Sequence, residues 1–124
     1  MFGRFGDNGE LWFEVELVAA TGERFAVEAL LDTGFTTGFL AINQQDLEAL
    51  QWRKTAPDVK MRTARGDAFF DVYQGSLVID GEEVTVPVHV GNEIPEYLIG
   101  ARWLELMELR VNKRDGVLIL SWIV

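Results

Sequence analysis

Residues 30–35 read LLDTGF, so a carboxylic acid directly follows an apolar run. Aspartate and glycine are ordinary turn residues, because the carboxylate accepts backbone hydrogen bonds and glycine tolerates positive φ. Here, however, apolar residues resume beyond the glycine-punctuated loop, at 39–42 (FLAI), which brings the acid close to the core. A buried carboxylate is costly unless it is hydrogen-bonded or shares its charge with a partner. Two interpretations of Asp32 therefore stay open: a turn residue, and one half of a catalytic pair.

The composition is that of one acidic folding unit. The 124 residues are 48 % hydrophobic and 25 % charged, which suits a single domain spanning 1–124. Lys and Arg number 11 and Asp and Glu number 20, and the resulting net charge of −9 argues against binding to nucleic acid or to an anionic membrane. The absence of cysteine and the single histidine exclude thiolate and multi-histidine metal sites, so we expect neither a metal nor a cofactor. No segment resembles a signal peptide or a bilayer span, so we expect a cytoplasmic protein.

Alternating apolar and polar residues predict a mainly β domain. At 12–19 (WFEVELVA) and 24–31 (RFAVEALL) every second residue is apolar, and the glycine-containing turn between them indicates a hairpin. Asn43 is placed to cap a short helix at 44–51, and a second short helix fits 100–108. Many hairpins in so short a chain favour closure into a small barrel. The remaining strands are predicted at 39–42, 59–65, 68–79, 83–90, 108–113 and 117–124.

Two further features of the sequence are interpreted as structural. His89 lies out of phase with the valines of its strand, so we expect a partly exposed residue without a catalytic role. The acidic residues Glu93, Glu96, Glu105 and Glu108 are interpreted as solvated surface and not as a metal site. Neither feature is as strong a candidate for a catalytic residue as Asp32.

Three features, in this order along the chain, carry a resemblance to a known family. They are the LLDTGF of 30–35 with its following strand and short helix, the hairpin at 62–69 (RTARGDAF), and the LIG of 98–100. Together they resemble the retropepsin-like aspartic proteases of the pepsin clan, most closely the short prokaryotic members whose motif reads DTGF. The resemblance implies a small closed acid-protease barrel with two short helices, and an enzyme that hydrolyses peptide bonds.

The resemblance also implies roles for individual residues. Asp32 is implied to be the catalytic aspartate of a pair, in which one carboxylate takes a proton from water and the other donates one to the peptide carbonyl. The hairpin is implied to be a flap that closes over a peptide or protein substrate. The residues implied to support the active-site loop are Thr33, Gly34, Phe35, Ile99 and Gly100. The residues implied to form the flap are Thr63, Ala64, Arg65, Gly66, Asp67 and Ala68.

One chain supplies only one such aspartate. No second DTG or DSG occurs, so the resemblance implies a homodimer in which two copies of Asp32 meet. Two departures from the family pattern leave alternatives open. Phe35 stands where the family usually has Ser, Thr or Ala, and the hairpin carries Arg62, Arg65 and Asp67 where viral flaps are apolar. The alternatives are a catalytically inert dimer that binds a peptide or protein, and a plain β-barrel in which Asp32 caps a turn.

Overall fold

Residues 1–63 and 66–124 are described by the computed structural model, and they form ten β-strands with very little helix. The strands are β1 (Arg4–Phe5), β2 (Leu11–Val18), β3 (Arg24–Asp32), β4 (Leu40–Asn43), β5 (Arg53–Thr63), β6 (Gly66–Ile79), β7 (Glu82–Gly91), β8 (Tyr97–Gly100), β9 (Met107–Asn112) and β10 (Val117–Trp122). Among these residues, helical structure is confined to the 3-10 turn Gln44–Asp46, the helix α1 (Leu47–Leu50) and the 3-10 helix Ala101–Glu105.

The strands close into a barrel. One sheet of the described residues has the order β1-β2-β3-β8-β4-β7-β6-β5. β2 also pairs with β6, with Leu17 opposite Leu77, so the sheet closes on itself through β2, β3, β8, β4, β7 and β6. The β3–β8 and β4–β7 pairs are parallel, and β9 and β10 form a separate antiparallel hairpin. The mainly β class and the small closed barrel that the sequence predicts are confirmed.

Alternation along the strands decides what fills the barrel. In β2, Phe13, Val15 and Leu17 are each at most 2 % exposed, because successive side chains of a strand point to opposite faces and these three share the inner one. β10 contributes two buried leucines to the same core. A smaller cluster, which we name the Phe35 cluster, forms separately from Phe35, Ala41 and Phe70.

The two predicted helices have different outcomes. Asn43 caps the first, since its side chain accepts a hydrogen bond from the Gln45 amide at 3.2 Å, and residues 44–50 are helical. The second is shorter than predicted at 100–108 and is a 3-10 helix, Ala101–Glu105. Its first amides donate to a neighbouring loop, and Met107, which is 1 % exposed, enters the core as the start of β9. The chain therefore has no room for a longer helix between these two points.

The sequence does not predict β1, β8 or the first half of β5. β5 begins at Arg53, whereas its alternation becomes recognisable only at residue 59. Register shifts between Lys54 and Val59, together with a positive φ of 49° at Asp58, interrupt the alternation there. β8 has four residues, too few for a periodic pattern.

Candidate active site

Asp32 is the last residue of β3, held between two neighbouring strands. β3 pairs with β2 on one side and with β8 on the other, where Asp32 lies opposite Gly100. The carboxylate is half-buried, and its Oδ1 accepts a hydrogen bond from the Gly34 amide at 2.9 Å. The Phe35 amide donates to the Asp32 carbonyl at 3.1 Å. Asp32 thus does form a turn of the kind its sequence predicts, and that turn uses only one of its two carboxylate oxygens.

The second oxygen, Oδ2, has no hydrogen-bond partner within the described ranges 1–63 and 66–124. Thr33, the next residue, is exposed, and Gly34 is half-buried. A carboxylate that is oriented through one oxygen and open through the other is suited to bind a polar group from outside the chain.

The loop that follows Asp32 is fixed by the segment that follows β8. The backbone amides of residues 100–102 donate to the carbonyls of Phe39, Phe35 and Gly38 at 3.0, 2.9 and 3.3 Å. The indole of Trp103 also donates to the Phe39 carbonyl, at 2.7 Å. These bonds leave the loop little freedom, which keeps Asp32 in one position.

Ile99 and Gly100 lie directly beneath this loop. Ile99 is fully buried and pairs with Leu31 in β3 and with Leu40 in β4. A Cβ atom at Gly100 would overlap the carbonyl of Gly38, so any larger residue would push the loop away. Ile99 therefore joins the strands on either side of the loop, and Gly100 contacts the loop directly.

Phe35 points inward and fills the space under its own loop. Its side chain is fully buried, and its ring lies 6.3 Å from the Phe70 ring and 5.3 Å from the His89 ring, centroid to centroid. A Cβ atom at Gly38 would overlap the Phe35 ring. The bulk of the phenylalanine is thus accommodated by a glycine three residues later in the same loop.

This packing makes a testable prediction about Gly38. The substitution Gly38→Ala is expected to lower the free energy of unfolding by about 1–3 kcal/mol, because the added methyl overlaps a buried ring. In a Phe35→Ala background the methyl has space, so the same substitution is expected to be close to neutral. Chemical denaturation of the four proteins gives the coupling energy directly. Additive effects of the two substitutions would show that the ring does not occupy this space.

The prediction that His89 is partly exposed is wrong. The side chain is only 6 % exposed, and its ring stands edge-on to the rings of Phe35 and Phe70. The reason is that the end of β7 is covered on both faces, by the barrel core on one side and by the Phe35 cluster on the other. Alternation therefore does not mark an exposed face at this position.

The predicted flap is a β-hairpin. β5 and β6 pair up to their ends, with Thr63 opposite Gly66 and Asp67 exposed one step below. Of the residues predicted to form the flap, Ala64 and Arg65 lie outside the described residues, as does the side chain of Thr63. Gly66 has a positive φ of 104°, a backbone conformation that glycine adopts readily. Ala68 is the one member of the predicted set that lines the cavity described next, within the part of the hairpin that the structure describes.

A cavity of about 390 Å³ opens beside Asp32. Its walls are formed by residues 30–34, by 68–70 of β6, and by 91–96 together with Leu98. Apolar side chains form most of the lining, and Asp32 contributes to its edge. The cavity therefore joins the end of β3 to the base of the β5–β6 hairpin.

Sequence reasoning reached the β6 wall only through the predicted flap, and it did not single out Phe70. It missed the wall at 91–96, where Glu93 and Glu96 were interpreted as solvated surface. A signal was present, because this segment directly precedes the LIG of 98–100, which pairs in parallel with the strand that ends at Asp32. Residues leading into that pairing must lie close to the candidate aspartate.

The carboxylates that the structure describes at the site are not arranged as a metal-binding group. Within the described residues, no group of three His, Asp or Glu side chains is arranged to hold a metal ion. No helix in that part of the chain has the length and apolar character needed to cross a membrane. Of the side chains close to the site, His89 has a lowered pKa, because burial disfavours its charged form while a hydrogen bond to the Leu40 backbone acts in the opposite direction.

Solved structures with the same arrangement identify the fold. A crystal structure of a retropepsin-like aspartic protease from Rickettsia conorii is similar over 98 % of this chain and 90 % of its own, with a TM-score of 0.64 and 22 % sequence identity. The chain has the retropepsin-like fold. The EIAV protease complexed with the inhibitor HBY-793 is similar over 82 % of this chain and 90 % of its own, with a TM-score of 0.59 and 16 % identity. No protein-family model and no curated protein sequence matches the chain.

Proposed function

We propose that this chain is an aspartic endopeptidase that works as a homodimer, with one Asp32 from each copy. The observation that carries the proposal is the position of Asp32 in the retropepsin-like barrel. It ends a strand, offers one carboxylate oxygen outward, and lies at the edge of an apolar cavity. A carboxylate at the edge of a largely apolar cavity is a typical arrangement for a catalytic acid or base.

The other aspartates of the chain support a second copy as the source of the partner carboxylate. Asp80 pairs with the N-terminal ammonium at 2.7 Å, and Asp71 pairs with Lys54 at 3.1 Å. Asp115 belongs to the turn between β9 and β10, where it accepts a hydrogen bond from Asn112. None of these three lines the cavity beside Asp32. Asp32 is the one aspartate among the described residues that line this cavity, which Glu93 and Glu96 also line. A pair of two aspartates therefore requires Asp32 of another copy, related by a two-fold axis.

The proposed mechanism uses one water molecule and one shared proton. Two carboxylates at such short range cannot both be ionised, so the pair holds one proton. The ionised Asp32 takes a proton from water as the water oxygen attacks the peptide carbonyl, while the protonated Asp32 donates its proton to the carbonyl oxygen. Collapse of the tetrahedral intermediate breaks the C–N bond, and a proton passes to the leaving amine. No metal or cofactor takes part.

The groove favours an extended peptide with a large apolar side chain. The cavity of about 390 Å³ is large enough for such a side chain, and its polar surface is the smaller part of its lining. Phe69 on β6 is 66 % exposed in the chain alone, and it lies in the wall of the same cavity. Contact with a substrate and closure of the hairpin would cover this exposed ring.

A subunit-mixing experiment tests the proposal. Wild type and Asp32→Asn are mixed in equal amounts, allowed to exchange subunits, and assayed on a diverse peptide library between pH 3 and pH 7, the range suggested by carboxylate pairs that share a proton. If both copies of Asp32 are needed, about one quarter of the activity of undiluted wild type is expected, because only that share of the dimers is fully wild type.

The matched control is Asp7→Asn, the same chemical change at an exposed aspartate that does not line the cavity. Mixing wild type with this variant should leave the activity unchanged. A residual activity of about one half in the Asp32→Asn mixture would instead mean that each chain works alone. Absence of cleavage by pure wild type across the library would contradict the proposed function.

A further inference from the structure

His89 connects the two structural parts that the proposed mechanism needs. It lies on β7, directly opposite Ala41 of β4 and Val72 of β6. Its ring stands at 86° to the Phe35 ring and at 87° to the Phe70 ring, with centroid distances of 5.3 and 5.8 Å. Phe35 belongs to the Asp32 loop, and Phe70 belongs to the strand that leads to the β5–β6 hairpin. The His89 side chain therefore contacts both the Asp32 loop and the strand that leads to the hairpin.

The environment of His89 accommodates an uncharged ring. The side chain is 6 % exposed, and its Nδ1 has no hydrogen-bond partner among residues 1–63 and 66–124. Edge-to-face packing against two phenyl rings is favourable for an uncharged imidazole. The same two rings do not replace the hydration that a charged imidazolium would lose on burial. Both ring nitrogens would carry a proton in the charged form, and Nδ1 would then be a buried donor without an acceptor.

No charged group is positioned to compensate a proton on His89. β4 and the loop 33–39 carry no titratable side chain. On β6, Asp71 lies opposite Val90 and so points to the other face of the sheet from Val72 and His89. The charged groups on the elements around the cluster are Arg53, Lys54, Asp58, Lys60 and Arg62 of β5, Asp67 and Asp71 of β6, Glu82 and Glu83 of β7, and Glu93 and Glu96 of the 91–96 segment, together with Asp32, which directly precedes the loop.

Several of these charged groups form ion pairs with each other or are exposed to solvent. Asp71 pairs with Lys54 at 3.1 Å, and Lys60 and Asp67, both exposed, lie 3.9 Å apart. Glu93 is exposed. Burial is accordingly the largest influence on the pKa of His89, and it lowers that pKa.

We propose that His89 is a positioning residue for the Asp32 loop, acting through Phe35, and that it does so only while its ring is uncharged. The path is short. His89 packs on Phe35, the Phe35 amide donates to the Asp32 carbonyl, and the Phe35 carbonyl accepts from the Ala101 amide at 2.9 Å. Expulsion or tilting of a charged imidazole would release the Phe35 ring, and with it the turn that orients the carboxylate.

The sign of the pH effect follows from the lowered pKa. The unfolded chain binds a proton on histidine at about pH 6.5, whereas the folded chain resists protonation there. The stability that His89 contributes is therefore complete above about pH 6.5 and is lost as the pH falls towards the folded-state pKa. The loss of stability begins just below pH 6.5, near the upper end of the pH range in which the proposed dyad works. Protonation of His89 would therefore limit the activity of the site at lower pH. That consequence rests on the proposed function, whereas the coupling of His89 to the loop does not.

Nuclear magnetic resonance tests the coupling without any assay of activity. The chain has a single histidine, so its ring signals are unambiguous. The expected result is a ring that titrates below pH 6.5, together with shifts of the Gly34 and Phe35 backbone amides that follow the same curve. In Asp32→Asn, where the carboxylate cannot titrate, the amide shifts should persist. Amides that stay constant through the histidine titration, or that move only with Asp32, would overturn the proposal.

Two variants separate positioning from mere packing. His89→Phe keeps an aromatic ring that cannot be charged, so the pH-dependent amide shifts should vanish and cleavage should extend to lower pH than in wild type. His89→Ala removes the ring, and kcat should fall by at least about tenfold with little change in KM, since the aspartate is misplaced at every pH. Unchanged acid tolerance in a folded His89→Phe would contradict the role in the site. Should His89→Phe not fold, the wild-type and Asp32→Asn titrations still decide the coupling.

Discussion

Peptide hydrolysis by the Asp32→Asn variant is expected to fall by a factor on the order of 10³ or more, because each dimer then loses both its general base and its general acid. Asparagine has the same shape, and its carbonyl oxygen can still accept the hydrogen bond that Gly34 donates to Oδ1. The turn and the fold should therefore persist. The measurement is kcat/KM on the best peptide from the library, at the pH of maximal wild-type activity.

Asp7→Asn serves as the control for this prediction and should retain wild-type kcat/KM. Circular dichroism and thermal unfolding should show that all three proteins fold alike. Cleavage by Asp32→Asn at the wild-type rate would mean that Asp32 is a turn residue only. The activity would then belong to another group or to a contaminating protease.

Replacing Phe35 by alanine is expected to lower the free energy of unfolding by about 3–5 kcal/mol. The ring is fully buried and forms one side of the Phe35 cluster, packed against Phe70 and His89. Its removal leaves a cavity under a loop whose backbone is fixed by hydrogen bonds, so the surroundings cannot close the space cheaply. Urea denaturation at one protein concentration measures the loss, since a dimer's stability depends on concentration.

The matched control is Phe2→Ala, the same substitution at a side chain that is 81 % exposed. Its effect should stay within about 0.5 kcal/mol. A loss of less than about 1 kcal/mol for Phe35→Ala would fall well short of the usual cost of a buried phenylalanine and would contradict its place in the cluster. The comparison isolates burial, because the atoms removed are identical in the two variants.

The sequence predicts the first hairpin of the barrel well, and for a simple reason. In the middle of β2, apolar residues alternate with Glu14 and Glu16, and along β3 every second residue from Phe25 to Leu31 is apolar. Asp32 could be singled out because it ends such a strand, where an acid stands out against the apolar residues before it. Its position at the end of β3 depends only on this local pattern.

The sequence cannot predict what depends on contacts between distant segments. β8 is a short strand that exists because it fits between β3 and β4, and its own residues show no alternation to announce it. The 3-10 helix Ala101–Glu105 stays short because its first amides serve the loop at 35–39. Both features result from closure of the barrel, which no local sequence pattern predicts.

In the candidate site, too, local sequence patterns identify some residues, and contacts between distant segments decide the position of the others. Phe35 could be recognised as a departure from the family pattern, but where its ring goes depends on Gly38, Phe70 and His89 together. His89 was misjudged because alternation assumes one covered face, and the end of β7 has two. The cavity wall at 91–96 became visible only when β8 brought it beside Asp32.

A crystal structure of the assembly that the chain forms in solution tests the central claim most directly. We expect a two-fold dimer in which the two Asp32 carboxylates face each other, each within about 2.6–3.2 Å of one shared water molecule. The β5–β6 hairpins of both copies should lie over the groove between them. A monomer, or a dimer in which the two Asp32 side chains lie on distant surfaces, would contradict the account.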